Sequence, residues 1–483
     1  MKLPRLILAG LILLSACKKS SKQDNTSDSK VHPYFKDIII KETLAGGSLA
    51  SYQRALGYFP LKSDPNTQIM VASRGREELY DARGFRIASI NKSNGTVNWV
   101  RSFDLDDHYT IQIETCAAID QSDNIWVGGH SFIEPESASP FLAKLDKSGN
   151  LLWSKSFRSY MGLRAYSLIA LKNGDIAFLT KVAWGLAVHR LSADGQSVWS
   201  TQITYSTGAV DDDYYTKPNL LSPENHGLVE TADGSIYFAT SSNLYVSGMG
   251  GSERLYKLDA NGNLIFARTY RLDDSRASVH PVQLINAGAD RILMADLAFN
   301  VNAYSPSPYF MMLSLDGNVQ ASKGLAKDLI GMVGYDLNEV NFYQNNIYFS
   351  TCGNYAFNTY TLDPGLNLKS AVKTAAAMDI GTDRGGISLF DETDRALYYV
   401  LNFGGTRDES NGFEVTRNDA TGKPCVTTYT DPPPTLLLEN VPIIAATDTL
   451  ITSSGFGPAP VFAPLTWRQY QVQVINTENV CGQ

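Results

Sequence analysis

Two acidic and aromatic clusters are where residue type and spacing could support chemistry. The first cluster contains Asp104, Asp106, Asp107, His108 and Tyr109. The second cluster contains Asp211, Asp212, Asp213, Tyr214, Tyr215 and Lys217. Paired carboxylates can hydrolyse glycosides when they stand at a set separation, and tyrosine rings with their hydroxyls can bind sugars. A solvated acidic loop has the same composition, so the two clusters leave hydrolysis, sugar binding and a plain surface loop open.

Other chemistries find no support in the sequence. No cysteine forms a C-x-x-C pair or joins a histidine at metal-binding spacing, and the histidines are scattered. The runs Asp146–Asn150 and Asp259–Asn263 resemble the start of calcium loops but lack the later carboxylates, so we expect β-turns there. The net charge of -8 disfavours contact with phosphate backbones. We therefore expect no metal, no cofactor and no nucleic-acid partner.

The N-terminus has the features of an export signal. Lys2 and Arg5 precede the apolar run LILAGLILL at 6–14, which is too short to span a bilayer as a helix. The run ends in Leu14-Ser15-Ala16-Cys17, which resembles the bacterial lipobox. The resemblance implies that residues 1–17 are a lipoprotein signal peptide and that Cys17 is lipidated. An ordinary signal peptide with a chance cysteine is the alternative.

Residues 18–33 follow as a polar segment, which we interpret as a flexible tether. Lys18 stands after the lipobox cysteine, where an Asp would retain many lipoproteins at the inner membrane. By family resemblance this favours an outer-membrane lipoprotein of the cell envelope. The sequence leaves open whether the body faces the periplasm or the outside.

An internal repeat organises residues 34–430. A hairpin with a polar Gly turn recurs seven times, with its turn glycines about 54 residues apart on average. These glycines are Gly95, Gly149, Gly195, Gly262, Gly317, Gly365 and Gly422. A second hairpin precedes each copy, so each unit has four antiparallel strands. The repeat predicts an all-β, seven-bladed β-propeller, with eight blades as an alternative and a stacked solenoid as a disfavoured rival.

Aromatic residues after the turns resemble those of quinoprotein-dehydrogenase-like propellers. Ser89–Trp99 and Ala143–Trp153 come close to that family's repeat, and Trp199 and Phe266 hold the tryptophan position. The resemblance implies that these aromatic rings pack between blades. The vicinal cysteine pair and the calcium ligands of the quinone enzymes are absent from the sequence, so we expect no quinone chemistry. The overall form resembles propeller lipoproteins of Bacteroidetes-type bacteria.

Loop length separates the two faces of the predicted propeller. Short turns all emerge on one face, and long irregular segments emerge on the other. Long loops on a rigid scaffold are where binding usually resides. The candidate ligand face on the long loops comprises Tyr80, Asp106, Asp107, His108, Tyr109, Asp212, Tyr214, Tyr215, Tyr245 and Tyr304.

The C-terminal residues 431–483 lie outside the repeat and are too few for an independent core. We expect them to form a β extension that packs on the last blade or pairs its outer edge, and the strand-like run from Phe35 to do the same. Cys425 and Cys481 flank this extension and could form a disulfide in an oxidising compartment. Cys116 and Cys352 lie in apolar runs and are expected to be buried thiols.

Three functions are consistent with the sequence. The favoured one is a membrane-anchored, non-enzymatic binding or scaffold module for a glycan or a protein. The second is a scaffold for outer-membrane protein assembly. The third is a carbohydrate-active hydrolase or lyase, so enzymatic activity stays open.

Overall fold

The protein is built of antiparallel strands. The computed structural model describes residues 34–41, 52–76, 81–105, 109–133, 136–158, 164–182, 185–205, 227–242, 252–272, 276–300, 306–325, 336–353, 356–375, 386–391, 396–404, 411–419, 438–440, 443–447, 451–455, 461–464, 467–471 and 473–476. Residues 1–33, which include the predicted signal peptide, Cys17 and the predicted tether, lie outside this description. None of the described residues forms a helix of the length and apolarity that a bilayer crossing requires.

Most strands belong to meanders, each of four consecutive antiparallel strands. The first meander is β2 Tyr52–Pro60, β3 Thr67–Arg76, β4 Asp81–Asn91 and β5 Val97–Leu105. The second is β6 Tyr109–Ile119, β7 Ile125–Ile133, β8 Glu136–Leu145 and β9 Leu151–Arg158. The third is β10 Arg164–Ala170, β11 Ile176–Val182, β12 Gly185–Leu191 and β13 Ser197–Tyr205. The fourth is β14 Leu228–Glu230, β15 Ile236–Ser242, β16 Ser252–Leu258 and β17 Leu264–Leu272.

The fifth and sixth meanders follow the same pattern. The fifth is β18 Arg276–Asn286, β19 Arg291–Asn300, β20 Pro306–Ser314 and β21 Val319–Leu325. The sixth is β22 Asp336–Tyr343, β23 Asn346–Gly353, β24 Ala356–Leu362 and β25 Leu368–Ala375. The remaining strands are β1 Tyr34–Lys41, β26 Gly386–Asp391, β27 Ala396–Gly404, β28 Asn411–Asp419, β29 Leu438–Asn440, β30 Ile443–Thr447, β31 Ile451–Gly455, β32 Val461–Pro464, β33 Trp467–Gln471 and β34 Gln473–Asn476.

The prediction of an all-β propeller with four-stranded antiparallel repeats is confirmed, but the predicted blade number is wrong. Counted by continuous hydrogen bonding, the described strands form six sheets, not seven or eight. The difference arises in one sheet of ten strands, which contains both the first and the second meander. Ala82 of β4 pairs with Ile111 of β6 and joins the two meanders through a single position.

The hydrophobic core lies between neighbouring units of the ring. The first strands of successive units adjoin one another, for example β6 with β2 and β10, and β26 with β2 and β22. Apolar side chains from facing sheets then interlock: Ile69 and Val71 of β3 pack in one cluster with Val127 and Ala143 of the second meander. A single unit cannot bury such a face alone, so the closed ring is the stable structure.

The ring is closed by strands from distant parts of the chain. β1 pairs antiparallel with β28 and supplies the fourth strand of the last sheet, after β26, β27 and β28. A buried ion pair between Lys92 and Asp391 (2.5 Å) links this sheet to the first meander. The expected pairing of the N-terminal strand with the last blade is confirmed.

Six short strands of the C-terminal extension form what we call the belt, β29–β34. They add a fifth strand to the outer edges of the fifth, fourth, third, second and first meanders in turn, and β34 finally pairs with β1. The belt therefore runs around the propeller against the order of the repeats. The predicted pairing with the outer edge of the last blade is made by β34 through β1. The other five belt strands pair with five other meanders, which the sequence did not predict. Covering the open strand edges protects them from pairing with other chains.

The predicted Cys425–Cys481 disulfide lies outside the described residues and stays a prediction. The strands that precede these cysteines, β28 and β34, belong to one sheet and flank β1 on either side. Because both are antiparallel to β1, they run in the same direction and finish at the same end of that sheet. This arrangement is compatible with a bridge between the segments that follow them.

Aromatic side chains dock on the turn glycines of the next meander. A Cβ placed on Gly149 would lie 2.7 Å from the Trp99 ring, and one on Gly195 would lie 2.6 Å from Trp153. Trp199 approaches Gly262 in the same way. Each of these glycines has a positive φ, between +74° and +85°. The glycine is thus required both by the turn and by the ring stacked against it.

Cys116 and His189 are isolated titratable groups buried in the core. Cys116 is a buried free thiol, and burial raises its pKa to about 12. His189 is buried between Thr180 Oγ1 (3.0 Å) and Ser200 Oγ (2.9 Å). Burial lowers the pKa of His189 to about 4, so the ring is neutral in the folded protein at neutral pH.

The buried His189 predicts a loss of stability in acid. Because its pKa is lower in the folded than in the unfolded chain, the unfolded chain takes up more protons between about pH 6.5 and 4. The free energy of unfolding should therefore fall as the pH drops through that window, by about 3 kcal/mol in all. His189→Gln keeps hydrogen-bonding groups without the titration. Thermal unfolding from pH 7 to 4 should show a shallower decline for the variant, and parallel curves would contradict the assignment.

Candidate functional site: the loop-bearing face and the carboxyl pair beneath it

The face that carries the short turns, which we call the turn face, is cross-linked between neighbouring meanders. The backbone N–H groups of Lys62 and Ser63 each donate to the Asp123 carboxylate at 2.7 Å. Burial acts to raise the pKa of Asp123, but these hydrogen bonds and the Lys62 charge hold it below its usual range. The Lys172 N–H donates to Glu230 Oε2 in the same manner (2.7 Å).

Longer side chains complete the cross-links on the turn face. Lys144 Nζ donates to the Ala193 carbonyl (2.7 Å), and Arg190 donates to the Ala260 carbonyl (3.0 Å). Within the turns, Asp146 accepts hydrogen bonds from its own Ser148 and Asn150. These carboxylates are occupied by local donors, so Asp146–Asn150 is a β-turn, and Asp259–Asn263 is built in the same way.

The opposite face, which we call the loop-bearing face, is where the sequence predicts the ligand residues. Of the ten predicted residues, Tyr109 belongs to a described strand, at the start of β6 opposite Ile133. The others lie outside the described residues: Tyr80, Asp106, Asp107, His108, Asp212, Tyr214, Tyr215, Tyr245 and Tyr304. Their grouping on one face stays a prediction from the order of strands and loops.

Two buried acidic residues, Glu253 and Asp296, are the strongest candidates for a functional site among the described residues, because they differ from the residues at the same positions of the other meanders. Strands β11, β15 and β23 share the pattern Ile-x-x-x-Thr, and Asp296 takes the threonine position in ILMAD of β19. Glu253 takes a position in β16 that is Phe85, Pro140, Leu186 and Pro308 in four other meanders, all of them buried. Asp296 thus replaces a hydroxyl residue in the fifth meander, and Glu253 replaces an apolar residue in the fourth.

The two exceptions meet in the interface between the fourth and fifth meanders. Glu253 is 2% and Asp296 0% exposed, on the same strand sides as Leu255 and Met294 of one apolar cluster. No donor among the described residues reaches any of the four carboxyl oxygens. Each carboxyl group contributes to the pKa of the other, so the two side chains lie close together.

Burial sets the protonation of this carboxyl pair. It raises the pKa of Glu253 to about 8 and lifts the pKa of Asp296 well above its usual range, and the negative charge of Glu253 adds to the effect on Asp296. The protons belong to the pair as a unit, as in other closely coupled carboxyls. At neutral pH the pair therefore holds protons instead of two full charges.

The burial of the pair constrains its chemistry. Glycosidases place two carboxyls on either side of the scissile bond of a bound sugar, whereas Glu253 and Asp296 are 2% and 0% exposed. Within the described part of the chain, no group of three or more His, Cys, Asp or Glu residues is placed to hold a metal ion. In this arrangement the pair can store and release protons but does not present a two-carboxylate hydrolysis site.

Neither Glu253 nor Asp296 was among the residues singled out from the sequence. The acidic loops contain the clustered carboxylates of the sequence, whereas Glu253 and Asp296 each stand alone in a strand. The available signal was a comparison of corresponding strand positions among the repeats, where each acid is a clear exception.

The chain resembles solved structures in its fold, at low sequence identity. No family model and no curated protein matches the chain. Among solved structures, the polysaccharide lyase Uly1 aligns with a TM-score of 0.47 and 11% identity, over 80% of this chain and 99% of that one. A protein of unknown function from Dyadobacter fermentans gives 0.45 and 9%, over 80% and 99%. The β-propeller domain of the Trilobed protease from Pyrococcus furiosus gives 0.42 and 11%, over 81% and 100%.

Proposed function

We propose that this protein is a lipid-anchored envelope protein whose propeller binds a glycan or a protein partner on its loop-bearing face. The observation that carries the proposal is the contrast between the surfaces. In the described turns of the turn face, polar groups hydrogen-bond to one another, as Asp123 and Glu230 do with backbone N–H groups of neighbouring meanders. The belt covers outer strand edges. The long connections predicted for the loop-bearing face are the kind of segment in which ligand binding usually resides.

The direction of the N-terminal strand supports this orientation. Tyr34 pairs with Arg417, near the end of β28, and Ile40 pairs with Asn411 at its start. Since β28 ends on the turn face, β1 begins on the turn face. The chain therefore enters the described part of the propeller from the face opposite the proposed ligand face.

A screen of the purified body against polysaccharides, reading both binding and product release, tests the proposed function. We expect saturable binding of at least one glycan without release of shorter products. Product release would instead identify a hydrolase or lyase. If no glycan binds, the same body immobilised on beads should retain a protein partner through the loop-bearing face, and failure of both would refute the proposal.

The anchor has its own test. Cys17→Ser should move the full-length protein from the membrane fraction to the soluble fraction, because several acyl chains hold a lipoprotein firmly and each buried CH₂ contributes about 0.8 kcal/mol. Ser15→Thr leaves Cys17 in place and serves as a control for changes within the same motif. If Cys17→Ser still requires detergent for extraction, the anchor lies elsewhere.

A further inference from the structure

We propose that Glu253 and Asp296 form a proton-operated switch between the fourth and fifth meanders, which adjusts the loops above them. The inference deepens the proposed function, because it makes ligand binding on the loop-bearing face sensitive to pH. It rests on geometry: two acids that break the repeat face each other in a buried interface, and no described donor reaches them. Uncompensated buried carboxyls must hold protons or separate.

The position of the pair connects it to the loops. Glu253 is the second residue of β16, which begins directly after residues 243–251, the segment that contains Tyr245. Asp296 lies four positions before the end of β19, which is followed by residues 301–305 and Tyr304. Any change in the spacing of β16 and β19 would therefore move the anchor points of two loops of the predicted ligand face.

The surroundings of the pair hold no described counter-charge against it. Tyr270 on β17 is paired opposite Glu253, and its hydroxyl donates to the Gly317 carbonyl (2.7 Å). Tyr309 on β20 is paired opposite Asp296. On β18, Pro281 stands opposite Asp296 and His280 opposite the next residue, Leu297. The positive charge of Arg268 acts to lower the pKa of the Tyr270 hydroxyl. It does not contribute to the pKa shift of Glu253 or Asp296.

The direction of the response follows from the raised pKa values. Below the ordinary pKa of a glutamate the pair is protonated in both the folded and unfolded chain, and the interface keeps its full stability. As the pH rises through about 8, the folded chain must give up a proton from a buried site. Two neighbouring negative charges then repel each other in a medium of low dielectric, and the interface loosens.

Hydrogen exchange of the propeller, measured by mass spectrometry at pH 6 and pH 9, tests the switch without any ligand. Each comparison is made between wild type and variant at the same pH, so that intrinsic exchange rates cancel. At pH 6, wild type and Glu253→Gln should differ less in β16 and β19 than at pH 9, because the free energy of opening falls between the ordinary glutamate pKa and about 8. At pH 9, these two strands should exchange about tenfold faster or more in the wild type, since each pH unit between the two pKa values shifts the opening equilibrium tenfold. Strands β11 and β12 should show no difference.

A second variant guards against misfolding of the first. Glu253→Leu with Asp296→Thr restores residues that other meanders carry at these positions, and its β16 and β19 should be protected equally at both pH values relative to β23 and β24. Equal protection of wild type and both variants at pH 9 would overturn the switch. Restoration of wild-type protection at pH 9 by calcium would also overturn it, in favour of a cation site. Because no ligand is present, failure here leaves the glycan-binding proposal standing, and failure of glycan binding leaves the switch standing.

Discussion

Truncation after Pro434 is expected to destabilise the propeller severely, to the point of unfolding or aggregation. It removes all six belt strands, which pair with β21, β17, β13, β9, β5 and β1. A net backbone hydrogen bond contributes about 1 kcal/mol, so losing several from each strand costs on the order of 10 kcal/mol. That is comparable to the whole stability of a typical folded protein, about 5–15 kcal/mol. Thermal unfolding and size-exclusion chromatography of the truncated chain measure the effect.

Truncation after Asn476 is the matched control for the belt. It removes only residues 477–483 and keeps all six belt strands, so the midpoint of unfolding should change little unless the predicted Cys425–Cys481 bridge is present. Repeating the control under reducing conditions separates these contributions. A stable, monomeric chain after the Pro434 truncation would show that the belt is dispensable.

Gly195→Ala should produce the largest loss of stability among single turn substitutions. Its φ of +74° disfavours any residue with a Cβ, and that Cβ would lie 2.6 Å from the Trp153 ring. The left-handed backbone costs roughly 1–2 kcal/mol, and the clash adds about 1–3 kcal/mol as overpacking. Denaturant unfolding should therefore show a loss of about 2–5 kcal/mol.

Gly174→Ala isolates the backbone part of this cost, because Gly174 has a φ of +90° and no heavy atom within 4 Å of an added Cβ. Trp153→Ala should itself cost up to about 3–5 kcal/mol, because it removes a large, half-buried ring that packs against the core. In that background Gly195→Ala should cost no more than Gly174→Ala, since the ring it would meet is gone. If Gly195→Ala and Gly174→Ala are equal in the wild-type background, the packing of Trp153 on the turn is not what fixes the interface.

The repeated hairpins were predictable because their signals are local. A turn that needs positive φ selects glycine, as at Gly149 and Gly262, and strand alternation brackets it on both sides. The belt was not predictable in this way. Its strands are three to five residues long, and their partners lie far away in sequence, as for Thr447 with Arg268. The number of sheets was missed for a similar reason, because one pair, Ala82 with Ile111, merges two meanders.

The candidate site was predictable only in part. That Glu253 and Asp296 depart from the repeat can be seen in the printed sequence. That they face each other depends on the strand side each occupies and on the adjacency of two meanders, which are tertiary facts. The acidic loop residues Asp212 and Tyr214 belong to a segment without repeat character, so no pattern in the sequence fixes their positions.

The affinity of a screened glycan for paired loop and turn variants tests the central claim, that the loop-bearing face binds the ligand. Tyr214→Ala with Tyr215→Ala should weaken binding about 30-fold or more, since losing an aromatic hot spot costs about 2 kcal/mol, while the unfolding midpoint stays nearly constant. Asp146→Ala with Asn150→Ala, on the turn face, should leave the dissociation constant unchanged. A silent tyrosine pair together with loss of binding in the Asp146 and Asn150 variant would contradict the assignment of the binding face.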